Sequence, residues 1–263
     1  MTLIARGITV EVDGTTLVAE ADLTVAPGEL VVLLGPNGAG KTSLLRAALG
    51  LIPASGNATL NGEAVVTIAP AARARALSYL PQARPLAWPA RVRDVVALGR
   101  FAHGVTLGRL SPRDAEAVDG ALARCDLTAL ATRATDTLSG GELARVHLAR
   151  ALAAEAPLIV ADEPVAALDP RHQHRVMGLL RNFVRGGGGA LAVLHDLALA
   201  AAYADRLVWM EGRVVAEGPV RETMTVERIA QVYGVRARII DGDVMIDGAL
   251  KSSPVGGGGS AKR

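Results

Sequence analysis

The chain has 263 residues, of which half are hydrophobic and one is a cysteine, and its formal net charge is +2. This composition allows one large or two small domains with a substantial core, excludes an intrachain disulfide, and gives no basic tract or aromatic platform for nucleic acid. Because no apolar run approaches the roughly 18 residues of a membrane span and no signal peptide opens the chain, we expect a cytoplasmic protein that does not itself cross the membrane.

The first part of the chain has the pattern of short strands separated by turns. Apolar residues predict such strands between residues 3 and 25, with a hairpin turn at Asp13-Gly14. A second hairpin is predicted where residues 57–60 and 64–68 flank Asn61-Gly62. Together these segments predict a small antiparallel sheet beside the main core.

The sequence from Gly35 to Thr42 matches the phosphate-binding template G-x-x-x-x-G-K-[ST] at every fixed position. Apolar runs predict a buried strand before it, at residues 30–34, and a helix after it, at about residues 44–49. A strand, a glycine loop and a helix in this order direct backbone N–H groups and a helix dipole at one point, which suits a polyphosphate. Lys41 would reach the β and γ phosphates and the Thr42 hydroxyl would ligate Mg²⁺, whereas the alternative is an ordinary glycine turn.

The middle of the chain, from about residue 81 to residue 154, is helical in pattern and rich in Ala and Arg. Strand patterns return at residues 158–161 and 190–194, with a helix at about 171–184 between them. Strands that alternate with helices predict a parallel sheet with crossovers. The predicted fold is therefore α/β: a phosphate-loop NTPase core with a mainly parallel sheet, an antiparallel β subdomain and an inserted α-helical subdomain.

Two acids, Asp162 and Glu163, follow the strand predicted at residues 158–161. Because the carboxyl ends of parallel strands meet at one edge of a sheet, Asp162 is expected near the phosphate loop, where it could hold Mg²⁺. Glu163 would then accept a proton from a water that attacks a γ-phosphate. The alternative is a strand that simply ends in solvated acids, and the nearby phosphate loop makes that alternative weaker.

The sequence Leu-Ser-Gly-Gly-Glu at residues 138–142 precedes an amphipathic helix. Ser139 is predicted to cap this helix, and the glycines expose its first backbone amides, which gives a second anion-binding helix N-terminus. The order of the motifs resembles that of the nucleotide-binding subunits of ABC transporters. It runs from the phosphate loop through this signature and the acid pair to a later lone histidine, His195. The resemblance covers about residues 2–240, and the signature distinguishes this family from other phosphate-loop ATPases.

The resemblance implies ATP hydrolysis with Mg²⁺ by a dimer in which two copies of the chain, head to tail, hold two ATP molecules between them. The ATP phosphates would be bound by the loop residues Gly35, Pro36, Asn37, Gly38, Ala39, Gly40, Lys41, Thr42 and Ser43. The ATP held by the other copy would be bound by the signature residues Ser139, Gly140, Gly141 and Glu142. The implied Mg²⁺ site consists of Thr42, Gln82 and Asp162.

The remaining roles are also implied by the resemblance. Gln82, in the Q-loop sequence Tyr-Leu-Pro-Gln, would contact Mg²⁺ or the attacking water and sense the membrane partner. Asp169 belongs to a D-loop that would cross to the other subunit. His195 would contact the γ-phosphate, although a lone histidine at a strand end is often structural. With Glu163 as the base, Gln82 and His195 complete the implied catalytic group.

The implied nucleotide-binding domain spans residues 1–240, with the helical subdomain inserted at about residues 83–155. Residues 241–263 are predicted to form a flexible tail, because they contain short polar segments and the glycine run 256–259.

Residues 95–103, 169–173 and 227–235 are similar to those of ATPases that serve importers of iron-siderophore complexes, haem and cobalamin. This similarity implies a separate integral membrane permease, an indirect link to a substrate-binding protein, and a peripheral position at the cytoplasmic face of the inner membrane. The alternatives are an ATPase for another importer or for an exporter, a soluble ABC ATPase acting on nucleic acid or ribosomes, and a module that binds ATP without hydrolysis. The soluble class usually has two nucleotide domains or a long coiled-coil insert, and the chain has neither.

Three residues outside the motifs also bear on function. Val12 stands near the place where the family often has an aromatic residue that stacks on adenine. His172 and His174 have a spacing that could suit a metal, but at positions i and i+2 of the predicted helix they point to different sides.

Overall fold

The computed structural model describes residues 1–82, 86, 89–106 and 108–249. Its strands are β1 Leu3–Val12, β2 Thr15–Val25, β3 Leu30–Leu34, β4 Ser55–Leu60, β5 Glu63–Ala64, β6 Leu77–Leu80, β7 Leu158–Ala161, β8 Gly189–Val193, β9 Arg206–Met210, β10 Val214–Pro219, β11 Val235–Ile240 and β12 Asp243–Ala249. Its helices are α1 Lys41–Ala48, α2 Pro70–Ala76, α3 Val92–Ala97, α4 Pro112–Arg124, α5 Gly140–Ala153, α6 Pro170–Arg185, α7 Leu197–Tyr203, α8 Val220–Thr223 and α9 Val226–Tyr233. Short 3-10 segments lie at Leu98–His103, Thr128–Leu130 and Thr135–Thr137.

The central sheet has six strands in the order β10-β9-β3-β8-β7-β6. All neighbours in it are parallel except β9 and β10, which confirms the predicted mainly parallel sheet. The strands predicted after residues 29 and 157 are present as β3 and β7. Because these strands are parallel, the carboxyl ends of β3, β6, β7 and β8 lie along one edge, where ligands bind in folds of this class.

The side chains of the central strands alternate between two cores, as the pleat requires. In β3, Leu30 and Val32 face a core that includes side chains of α3 to α7, whereas Val31 and Leu33 face a second core that includes α1 and the small sheet. Since both faces are buried, the sequence of such a strand is a continuous apolar run and not an alternating one.

The small sheet is antiparallel, in the order β2-β1-β4-β5, as predicted. Its first hairpin turns at Asp13 and Gly14, whose φ angles of 49° and 75° suit a two-residue turn. The prediction of a strand at residues 64–68 is wrong, because only Glu63–Ala64 pairs with β4. The backbone N–H and the hydroxyl of Thr67 both donate to the carbonyl of Ala64, at 3.0 and 2.8 Å, so the chain turns there toward α2.

The segment between β6 and β7 contains α3, α4 and α5, in agreement with the predicted helical insert. The predicted first residues of this subdomain, 83–85, lie outside the described residues. Arg100, with only 1% of its surface exposed, joins the insert to the end of α5: its guanidinium bonds Asp114 at 2.9 Å and Glu155 at 2.8 Å. A charge this deeply buried needs such partners, so this network fixes the packing of the helices.

The C-terminal part of the described chain adds β9, β10, α9 and the hairpin β11–β12 to the core. The tail predicted from residue 241 is wrong at its start, because Asp243–Ala249 is a strand paired with β11. The glycine run 256–259 lies outside the described residues. Within the described ranges, every helix is too short or too polar to cross a bilayer.

Candidate nucleotide site

The phosphate loop connects β3 to α1 at the carboxyl edge of the central sheet. Lys41, the first residue of α1, donates from Nζ to the carbonyl oxygens of Gly35 and Pro36, at 2.7 and 2.8 Å. Burial lowers the pKa of the Lys41 ammonium, while the charges of Glu163 and Asp162 oppose that shift. The ammonium therefore lies across the loop, close to the helix N-terminus at which a phosphate would bind.

Asp162 follows β7 and lies beside the loop, as the sequence predicts, and its side chain is fully buried. Its carboxylate accepts hydrogen bonds from the hydroxyls of Thr42, at 3.2 Å, and Tyr79, at 3.4 Å. Burial raises the pKa of this carboxyl, and the hydrogen bond from Thr42 opposes the shift in part. A buried carboxylate and a hydroxyl thus meet, and oxygen atoms of these two kinds are what Mg²⁺ prefers.

The Glu163 carboxylate lies between two other side chains of the predicted catalytic group. Its Oε1 atom is 2.7 Å from Nε2 of His195, and its Oε2 atom accepts from Nε2 of Gln82 at 2.8 Å. The three residues follow three neighbouring strands, β7, β8 and β6. The backbone of Glu163 has a φ of 49°, which is uncommon for a residue with a side chain and often marks functional sites.

The signature residues begin α5 with a capping box, which confirms the predicted cap. The Ser139 hydroxyl accepts from the Glu142 N–H at 3.3 Å, and the Glu142 carboxylate accepts from the Ser139 N–H at 2.8 Å. These bonds from Ser139 hold the pKa of the Glu142 carboxyl below its usual value. The first turn of α5 is therefore rigid, with its backbone amides at the helix end.

The signature also contacts α6, the helix that follows the D-loop. A Cβ atom on Gly141 would lie 2.0 Å from the ring of His172, so only glycine fits at this position. The Nδ1 atom of His172 lies 2.9 Å from the carboxylate of Asp169, which also accepts the His172 N–H and so caps α6. These hydrogen bonds from His172 lower the pKa of the Asp169 carboxyl. The ring is thereby held against the start of α5.

A cleft of about 350 Å³ opens beside the phosphate loop. Its walls are residues 37–43 of the loop and α1, together with Leu17, Gln82 and Glu163. In the described part of the chain, the signature residues 139–142 and Asp169 are not among the residues that line this cleft. The predicted site residues therefore form two groups, one at the loop and one at the start of α5 and α6.

Comparison with known proteins identifies the family. A family profile described as ABC transporter matches residues 18–166, more than half of the chain. The chain belongs to the ABC transporter family. It is an ATPase of the ABC type, and the resemblance inferred from the motifs is confirmed.

Relatives of this ABC ATPase include import subunits. It is 44% identical to the hemin import ATP-binding protein of Nocardia farcinica over 92% of its own length and 85% of that protein's length. It is 39% identical to the cobalamin import ATP-binding protein of Halobacterium salinarum, over 97% of its own length and 64% of that protein's length. A solved structure of an ATP-binding subunit of an ABC transporter matches with a TM-score of 0.74 and 25% identity, over 90% of this chain and 96% of that one.

The structure adds contacts in the site of this ABC ATPase that the motifs do not predict. Leu17 lines the cleft, and Tyr79 donates to Asp162. Tyr79 is the first residue of the Q-loop sequence Tyr-Leu-Pro-Gln, but its contact with Asp162 depends on the pairing of β6 with β7. Val12, at the end of β1, is 48% exposed. This position therefore offers an aliphatic surface, and not an aromatic ring, to the adenine of a nucleotide.

The two histidines considered as metal ligands have separate partners. His172 contacts Asp169, whereas Nδ1 of His174 lies 3.1 Å from the hydroxyl of Tyr203. Across the described residues, no three His, Cys, Asp or Glu side chains are grouped so that they could hold a metal ion.

Proposed function

We propose that this ABC ATPase drives the uptake of a metal chelate, with haem as the first candidate, through a separate permease. The observation that carries the hydrolytic part is the Glu163 carboxylate, held by His195 and Gln82 beside the phosphate loop. The chelate class is supported by the relatives named for hemin import and cobalamin import. Haem comes before cobalamin because the hemin relative is more similar and matches over most of both chains.

In the proposed site, residues 35–43 bind the phosphates of ATP. The loop amides and the N-terminus of α1 would surround the β and γ phosphates. The Lys41 ammonium would exchange the carbonyls of Gly35 and Pro36 for phosphate oxygens, which form stronger charge-assisted hydrogen bonds. The negative charge of ATP would also offset the effect of burial on the pKa of Lys41.

The donor set near the loop fits Mg²⁺. Thr42 and Asp162 offer a hydroxyl and a carboxylate 3.2 Å apart, and Gln82 offers an amide oxygen near the same cleft. The carboxylate of Asp162 is buried, and a cation would favour its charged form. When bound, Mg²⁺ would neutralise negative charge on the phosphates of ATP.

For the chemical step we assign the role of general base to Glu163. A water molecule would transfer a proton to the Glu163 carboxylate while its oxygen bonds to the γ-phosphorus and the bond to the ADP oxygen breaks. His195 and Gln82 would orient this carboxylate, and His195 would also donate toward the γ-phosphate. The observed distances of 2.7 and 2.8 Å support these assignments, because the base is already held in place by two partners.

The proposed dimer brings the two groups of residues together. Because residues 139–142 do not line the cleft beside the phosphate loop, a site that uses both requires a second copy of the chain. In a head-to-tail pair, the start of α5 from one copy would meet the ATP held by the loop of the other. His172, whose ring lies against Gly141, and Asp169, which bonds to His172, would lie at the same interface.

The proposed contact with the permease is a groove of about 280 Å³ between β6, the 3-10 segment Leu98–His103 and α5. Phe101 lines it and is 50% exposed, as an apolar anchor for a helix of the partner. The groove lies behind β6, the strand that leads to Gln82, so movement of a docked helix could be transmitted to the cleft. In this proposal the subunit lies at the cytoplasmic face of the inner membrane, with a substrate-binding protein on the opposite side.

Uptake by the assembled transporter tests the proposal. The full chain, copurified with its membrane partner and binding protein, is reconstituted in vesicles that contain ATP, and the accumulation of haem, a ferric siderophore and cobalamin is measured. We expect ATP-dependent uptake of haem, and loss of that uptake when the subunit carries Glu163→Gln. If none of the three chelates accumulates while ATP is hydrolysed, the chelate assignment is wrong and another importer or an exporter takes its place.

A further inference from the structure

The last residue of α9 contacts the first residue of the phosphate loop. The hydroxyl oxygen of Tyr233 accepts a hydrogen bond from the backbone N–H of Gly35, at 2.9 Å. The ring of Tyr233 meets the fully buried ring of Trp209 in β9 edge to face, with centroids 6.4 Å apart. Burial raises the pKa of Tyr233 to about 12, so its hydroxyl stays neutral at physiological pH.

The loop also contacts the end of β9. A Cβ atom on Gly35 would lie 2.2 Å from the carbonyl oxygen of Met210, so the loop starts in direct backbone contact with that strand. Further along, the carbonyl of Ala39 accepts from the N–H of Gly212 at 3.1 Å. The loop is therefore supported at both ends by segments that follow residue 205, outside the part matched by the family profile.

The same C-terminal region reaches the other end of the catalytic group. Tyr233 is followed by β11, and its partner strand β12 packs against α7. Helix α7 begins directly after His195, with Asp196 as its N-cap. The hairpin β11–β12 therefore has a contact route to the phosphate loop through Tyr233 and to His195 through α7.

We propose that Tyr233 is a positioning residue for ATP binding: its hydroxyl fixes the first residue of the phosphate loop, so that the C-terminal helix and hairpin hold the loop ready for the phosphates. The hydroxyl does not touch the nucleotide in this scheme. The hydroxyl restricts the Gly35 peptide, so the phosphate loop is already ordered before ATP binds. ATP binding therefore has a smaller entropy cost. Loss of the bond would weaken ATP binding and leave the bond-breaking step almost unchanged.

The test variant is Tyr233→Phe, which keeps the ring against Trp209 and removes only the acceptor. With the full chain, we expect the KM for ATP to rise about 3- to 10-fold, as for one hydrogen bond, while kcat changes by less than about twofold. The matched control is Tyr203→Phe, which removes a hydroxyl that contacts His174, away from the loop, and should leave both values unchanged. An unchanged KM in Tyr233→Phe, or an equal change in the control, would overturn the proposal.

Hydrogen exchange supplies a readout that does not depend on hydrolysis. The amide of Gly35 should exchange faster in Tyr233→Phe than in the wild type, while amides of α4, in the helical subdomain, keep their protection. Unchanged exchange at Gly35 would overturn the proposal even if the KM changed. A general loss of protection in all segments would also overturn it, because Tyr233 would then support the fold as a whole and not the loop.

Discussion

Glu163→Gln is expected to lower ATP turnover by about a hundred- to ten-thousand-fold, the range for loss of a general base, while ATP binding is retained. Glutamine has nearly the same shape and can keep hydrogen bonds to His195 and Gln82, but it cannot take a proton from water. Because binding energy still closes the dimer while hydrolysis is blocked, the variant should accumulate as a dimer with ATP bound.

Turnover is measured by phosphate release, and the dimer by size-exclusion chromatography with and without ATP. The matched control is Glu116→Gln, which changes an exposed glutamate on α4 in the same way and should keep wild-type turnover. Turnover within a factor of about two of wild type in Glu163→Gln would remove this residue from the role of base.

Lys41→Ala is expected to weaken ATP binding by about a hundredfold, which corresponds to about 3 kcal/mol. The ammonium is the only lysine charge in the first 250 residues, and it lies across the loop on the carbonyls of Gly35 and Pro36. Its removal takes away the charge-assisted bonds to the phosphates and also two bonds that shape the loop.

Affinity is measured by titration with ATP, and Arg113→Ala, which removes an exposed positive charge on α4, is the control. The scarcity of lysine allows a second measurement on the wild type: acylation of Lys41 by an amine-specific reagent should slow when ATP is present. Wild-type affinity in Lys41→Ala, or acylation that ATP does not slow, would contradict the assignment of the loop.

Most of the site could be predicted from the sequence because its residues are local to strand ends. The loop from Gly35 follows β3, and Asp162 and Glu163 follow β7, so a parallel sheet alone brings them to one edge. The cap at Ser139 was predictable for a similar reason, since a serine three residues before a glutamate is a local signal. Local motifs, together with a parallel sheet, therefore predict the position of each site residue that lies in one short segment after a strand.

The features that were missed depend on pairing between distant segments. Strand β6 has only four residues and is defined by its pairing with β7, so its sequence alone does not predict a strand. The bond from Gly35 to Tyr233 joins residues 198 positions apart. Strand β12 is mostly exposed, so its sequence shows no buried face and falls in the predicted tail. Tertiary contacts and not local preference decide these elements.

The central claim, that ATP is hydrolysed between two copies of the chain, is tested most directly by mixing two inactive variants. Lys41→Ala removes the positive charge that would bind the phosphates in the loop. Ser139→Arg blocks the signature at the start of α5 and leaves the loop intact. In a head-to-tail dimer, a mixed pair has one site in which both changes meet and one site in which neither is present. Each variant alone has two defective sites.

The measurement is ATP turnover of the two variants, separately and as an equal mixture. We predict almost no turnover for each alone and recovery to about a quarter of wild type in the mixture, since half of the dimers are mixed and each has one intact site. The control mixes Lys41→Ala with a variant that carries both Lys41→Ala and Ser139→Arg. Every phosphate loop in this mixture is defective, so it should stay inactive. If the first mixture also stays inactive, or if Ser139→Arg alone turns over ATP at the wild-type rate, the shared site is contradicted.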